Sequence, residues 1–112
     1  MKIPLCDTAQ LSNCRGFELE LDGKALSGFI IRDGAQIRAY QNRCPHIGIE
    51  LNWLADQFLD LQGEHIICAT HGALFRLYDG HCIAGPCVGQ ALQPISTLVE
   101  DGHIYLHLPE HL

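Results

Sequence analysis

Two short segments dominate what this chain can fold into: Cys44-Pro45-His46-Ile47-Gly48 and Cys68-Ala69-Thr70-His71-Gly72-Ala73. Each offers one thiolate and one imidazole from a single tight loop. Gly48 and Gly72 supply the backbone freedom that such a loop needs just after its histidine. A fold that uses both loops has to bring them together across the 21 residues from Ile47 to Ile67. Two Cys and two His also suit a closed tetrahedral zinc site. Zinc fingers, however, usually pair Cys with Cys and His with His, whereas each segment here mixes them.

The segments resemble the two halves of the Rieske iron–sulfur motif, and Gly85-Pro86-Cys87 resembles the Gly-Pro loop that covers the cluster in that family. The three pieces come in the family's order, and the resemblance spans about residues 1–108. It implies a [2Fe–2S] cluster with Cys44 and Cys68 on one iron and His46 and His71 on the other. Two imidazoles in place of two thiolates remove about two negative charges, so such centres reach roughly −150 to +300 mV, against about −400 mV for plant-type ferredoxins.

Further implications follow position by position. In the high-potential members, extra cysteines in the two loops form a disulfide; here those positions hold Ile49 and Thr70. Those members also hydrogen-bond sulfur with a serine and a tyrosine; here the matching residues are Ala73 and Phe75, neither of which has a side-chain donor. Hydrogen bonds to sulfur stabilise the reduced, more negative cluster. The expected midpoint therefore falls in the low part of the range, below about 0 mV. The family also implies that His46 and His71 reach the surface as the electron exit.

The chain has 112 residues, enough for one domain with a modest core that a bound cluster would reinforce. Asp-Gly pairs at 22–23, 33–34, 79–80 and 101–102 suit hairpin turns. Phe17, Leu19 and Leu21 alternate with Glu18, Glu20 and Asp22, and Ile104, Leu106 and Leu108 with His103, Tyr105 and His107. Residues 25–32, 35–41, 66–68 and 74–78 also read as strands. The expected fold is all-β, a Rieske-like antiparallel β-sandwich with a small cluster-binding subdomain at about residues 42–88. His103, His107 and His111 recur every four residues, but the alternation and Pro109 favour a strand and tail over a helical metal site. His65 and His81 show no partner pattern. Residues 47–67 read as a short helix or folded loop, with Trp53 and Phe58 capping the core in preference to meeting a partner. Cys6, Cys14, Cys82 and Cys87 read as small buried hydrophobes, and a Cys82–Cys87 disulfide is disfavoured in a reducing compartment.

The net charge of −6 gives no basic footprint for nucleic acid. Between Cys44 and Phe75 lie Glu50, Asp56, Asp60 and Glu64 and no Lys or Arg, so an acidic surface near the cluster is expected to steer a basic redox partner. No stretch approaches a membrane span, and the start shows no signal-peptide pattern, so a cytoplasmic location is expected. The leading functional expectation is a monomeric electron carrier resembling the ferredoxins of multicomponent oxygenases. It would pass electrons from a reductase to a terminal oxygenase, docking near His46 and His71, with no catalytic residues of its own. Two alternatives stay open: a non-catalytic reductase subunit similar to the nitrite reductase small subunit, and a zinc-stabilised interaction module.

Overall fold

A computed structural model of the chain describes residues 1–21, 23–45, 48–52 and 54–108. Asp22, His46, Trp53 and His111, all singled out above, lie outside the described residues.

The strands are β1 (Lys2–Asp7), β2 (Cys14–Leu21), β3 (Lys24–Asp33), β4 (Gln36–Gln41), β5 (His65–Ile67), β6 (Leu74–Arg76), β7 (Cys82–Ala84), β8 (Pro94–Ile95), β9 (Thr97–Glu100) and β10 (His103–His107). They form three antiparallel sheets, ordered β1-β10-β9, β2-β3-β4-β8 and β5-β6-β7. The one helical turn among the described residues is a 3-10 turn at Thr8–Gln10.

The four-stranded sheet is the middle layer. In β3, Phe29, Ile30 and Ile31 are all buried, because both faces of this strand are covered. Phe29, Ile31 and Tyr40 join one core with Cys44, Leu51, Phe58, Ile66, Cys68 and Phe75. Ile30 and Ala39 face a second core with Ile95, Ile104, Leu106 and Leu108. The period-two pattern of 104, 106 and 108 thus fills one side, while the first core carries both candidate ligand cysteines.

The turns follow from the glycines. Asp101 (φ +50°) and Gly102 (φ +77°) form the two-residue link between paired Glu100 and His103, as a type I′ turn requires. Between β3 and β4 the turn is displaced by one residue. Asp33 still pairs with Gln36, and Gly34 (φ +60°) with Ala35 makes the reversal. Residues 74–78 give a shorter strand than expected, because Leu77 leaves the ladder and its carbonyl accepts a 2.7 Å hydrogen bond from the Tyr40 hydroxyl.

The linker between the two segments is a folded loop tied down at several points. Phe58 is 1% exposed and stacks on Phe29 at 4.3 Å between ring centroids, so it caps the core as expected. A Cβ on Gly16 would lie 3.2 Å from the Phe58 ring, and the backbone N–H of Gly16 donates to Asp56 Oδ1 at 2.7 Å. His65 has a partner after all: its Nδ1 lies 3.2 Å from Asp60 Oδ2. Sequence spacing alone gave no sign of this, because the pairing is made only when the 60–65 turn folds.

Candidate cluster-binding site

The two candidate ligand loops are built alike. In the first, Cys44 N–H donates to Ile49 O at 2.7 Å and Gly48 N–H donates to Cys44 O at 2.8 Å. In the second, Cys68 N–H donates to Ala73 O at 2.9 Å and Gly72 N–H to Cys68 O at 2.8 Å. Both loops turn through a left-handed glycine at the fifth position, φ +75° at Gly48 and +71° at Gly72. The second loop closes the β5–β6 hairpin, with Ile67 paired to Leu74 across its base. A backbone bond ties the second loop to the chain leaving the first: Ala69 N–H donates to Leu51 O at 2.7 Å.

Cys44 and Cys68 are both 0% exposed and share one core, whereas His71 is exposed at the tip of its loop. His46 lies outside the described residues. Among the described residues, no three His, Cys, Asp or Glu side chains converge as a holder for a single metal ion.

A residue that sequence reasoning missed sets the first loop in place. Asn42 is the buried polar residue among those described, 7% exposed. Its Oδ1 accepts from Leu51 N–H at 2.8 Å, and its Nδ2 donates to Asn52 Oδ1 at 2.8 Å and to Glu50 Oε2 at 3.3 Å. The residue leading into the loop thereby fixes the strand of chain leaving it.

The Gly-Pro segment packs against the loop that carries Cys68. A Cβ on Gly85 (φ +96°) would lie 2.8 Å from the Cα of Ala73, so the cover loop packs directly on the second ligand loop. Cys87 is 1% exposed beneath it. Its thiol lies 3.0 Å from Cys82 Sγ and also interacts with the Cys44 thiol. Burial, followed by the neighbouring Cys82 and Cys44, pushes the Cys87 thiol up to about 12. No disulfide forms among the described cysteines. Ala73 and Phe75 are fully buried and bring no donor to the ligand loops.

Of the four acids expected around the site, Glu50, Asp56 and Glu64 are exposed, and three of the four also make local bonds. Glu50 accepts from Ser27 Oγ at 3.0 Å, Asp56 binds Gly16, and Asp60 pairs with His65. The guanidinium of Arg43, one residue before Cys44, lies where a Cβ on Gly48 would meet it at 3.0 Å. A cation therefore sits against the first ligand loop.

The donor set fits a Rieske cluster. Two buried thiols come from matched loops, an imidazole stands at a loop tip, and Gly85 packs tightly on Ala73. The comparisons with known proteins agree. The fold matches the ferredoxin of carbazole 1,9a-dioxygenase from Nocardioides aromaticivorans IC177, with 22% identity, 95% of this chain and 96% of that one covered, and a TM-score of 0.72. It also matches a ferredoxin of Sphingomonas yanoikuyae B1, with 22% identity, 97% and 100% covered, and a TM-score of 0.73. A third match is to a chain in a complex of reduced oxygenase and oxidised ferredoxin of carbazole 1,9a-dioxygenase, with 21% identity, 94% and 91% covered, and a TM-score of 0.71. No curated protein matches the sequence. The likenesses to solved structures establish the fold, and the family profile establishes more. The Rieske [2Fe-2S] domain profile matches residues 1–101, and the chain belongs to that family, whose cofactor is the two-iron cluster.

Proposed function

We propose that this protein is a one-electron carrier whose cluster is held by Cys44, His46, Cys68 and His71, within a subdomain of about residues 42–88. The observation that carries this reading is the contrast within the matched loops: Cys44 and Cys68 fully buried, His71 exposed. When bound, the cluster takes up and releases one electron at a time. The buried thiolates would anchor it away from water, and the exposed imidazole of His71 would face a docked partner. The chain acts as a component of an oxidoreductase system, not as the catalyst.

The partner we propose is a reductase on one side and a terminal oxygenase or similar oxidoreductase on the other, each meeting the protein near His46 and His71. Support comes from the likeness to a chain in an oxygenase–ferredoxin complex. Among the described residues no helix is long and apolar enough to cross a membrane, and we place the carrier in the cytoplasm as a monomer.

The test is iron and sulfide analysis of anaerobically purified protein alongside Cys44→Ser, His46→Ala, Cys68→Ser and His71→Ala. The expected result is about two irons and two sulfides per chain in the parent and loss of the cluster in each variant. A colourless parent containing zinc would contradict the proposal. Co-purification in a stable complex with a reductase would replace the free carrier with a bound subunit.

A further inference from the structure

We infer that Cys87 is a positioning residue for the cluster: its S–H donates a hydrogen bond to the Cys44 sulfur and raises the midpoint potential. The inference rests on the ligand assignment proposed above and adds a residue to it. Cys87 has one proton, which it donates to Cys82 Sγ at 3.0 Å, and the Cys44 sulfur is a second neighbour in the same buried core. Cys82 sends its own proton to Ala84 O at 3.2 Å, which leaves its sulfur a neutral acceptor. Cys44, as a metal ligand, is a thiolate. Hydrogen bonds to an ionised acceptor are roughly twice as strong as neutral ones, so with the cluster bound the Cys87 proton belongs on the Cys44 side.

The surroundings hold that geometry. Gln90 N–H donates to Cys87 O and Cys82 N–H donates to Gln90 O, both at 2.9 Å, which fixes the two cysteines on one closed turn. Gly85 presses this turn onto Ala73 of the second ligand loop. At 1% exposure Cys87 meets no competing water. Ala73 and Phe75 have no donor, so the thiol takes over, more weakly, a task that hydroxyls perform elsewhere in the family. Reduction adds negative charge to the ligand sulfur and strengthens the bond. The donor therefore favours the reduced state.

The experiment compares midpoint potentials of the holoprotein, Cys87→Ala and Cys87→Ser. In Cys87→Ala, the ratio of reduced to oxidised centre at a fixed applied potential should fall by about threefold to tenfold, tenfold being about 59 mV for one electron. Cys87→Ser restores a donor and should return the midpoint to the parent value or above it. The iron–sulfur stretching bands of the parent should shift in D2O by an amount that Cys87→Ala loses. A role in packing alone treats Ala and Ser alike, so equal midpoints for the two would overturn the inference while leaving the cluster ligands intact. Where Cys87→Ala fails to assemble, Cys82→Ala reads the same bond. It removes the competing acceptor and should hold or raise the midpoint, whereas a fall would overturn the inference. A parent chain without a cluster would overturn the ligand assignment and this inference together.

Discussion

The carboxamide of Asn42 reaches Leu51, Asn52 and Glu50 at once, from a buried position next to the first ligand loop. Asn42→Ala leaves the buried Leu51 N–H without its acceptor, at a cost of about 1–3 kcal/mol. Urea unfolding of the holoprotein should show that loss together with faster bleaching of the cluster. Two glycines separate conformational strain from steric conflict. At Gly72 (φ +71°) an added Cβ would meet nothing within 4 Å, so Gly72→Ala should cost only the left-handed backbone penalty of about 1–2 kcal/mol. Gly85→Ala adds a 2.8 Å clash with the Ala73 backbone and should cost about 1–3 kcal/mol more. Thermal melts of the two holoproteins give the comparison, and equal losses would contradict the packing of the cover loop. The matched loops and their glycines were legible in the sequence because each loop closes on itself within six residues. Asn42 was not, because its role depends on where residues 50–52 return in space.

At the scale of elements, the middle sheet meets the turn between β6 and β7 through specific contacts. Tyr40 is the clearest: it is 2% exposed, its hydroxyl donates to Leu77 O, and a Cβ on Gly80 would lie 2.8 Å from its ring. Burial pushes its hydroxyl up to about 12, with Arg38 opposing and Asp79 and Asp33 adding. The raised value means that the folded state favours the neutral phenol. The stability this provides is fully present below the unfolded value of about 10 and is lost as pH climbs through about 12. Tyr40→Phe should therefore be less stable than the parent by about 1–3 kcal/mol at pH 8. The gap should narrow between about pH 10 and pH 12 in urea titrations; a gap independent of pH would contradict the assignment. Strand alternation in β2 and β10 was readable because each buries one face. The 47–67 linker resisted a firm reading because Phe58, Asp56 and Asp60 find their partners on β2, β3 and β5, none of which local periodicity reports.

At the scale of the molecule, the described residues form three antiparallel sheets and two cores, and the division of labour between the cores positions the site. One core, closed by β10, stabilises the sandwich; the other receives Cys44 and Cys68. The all-β architecture and the family were legible from the turn signals and the three motif pieces together. The surface electrostatics were less so: a count along the chain missed that Glu50, Asp56 and Asp60 each accept a local hydrogen bond and that Arg43 lies against the first candidate loop. The potential is likewise a property of the assembled site, since Ala73 and Phe75 remove two donors and Cys87 brings a weaker one. The decisive experiment is an EPR-monitored redox titration of the anaerobically purified protein. The expected outcome is a reduced-state signal with the low average g of mixed Cys/His ligation and a midpoint below about 0 mV, in the lower part of the Rieske range. A redox-silent protein would refute the electron-carrier reading, and a midpoint well above zero would refute the donor-poor site.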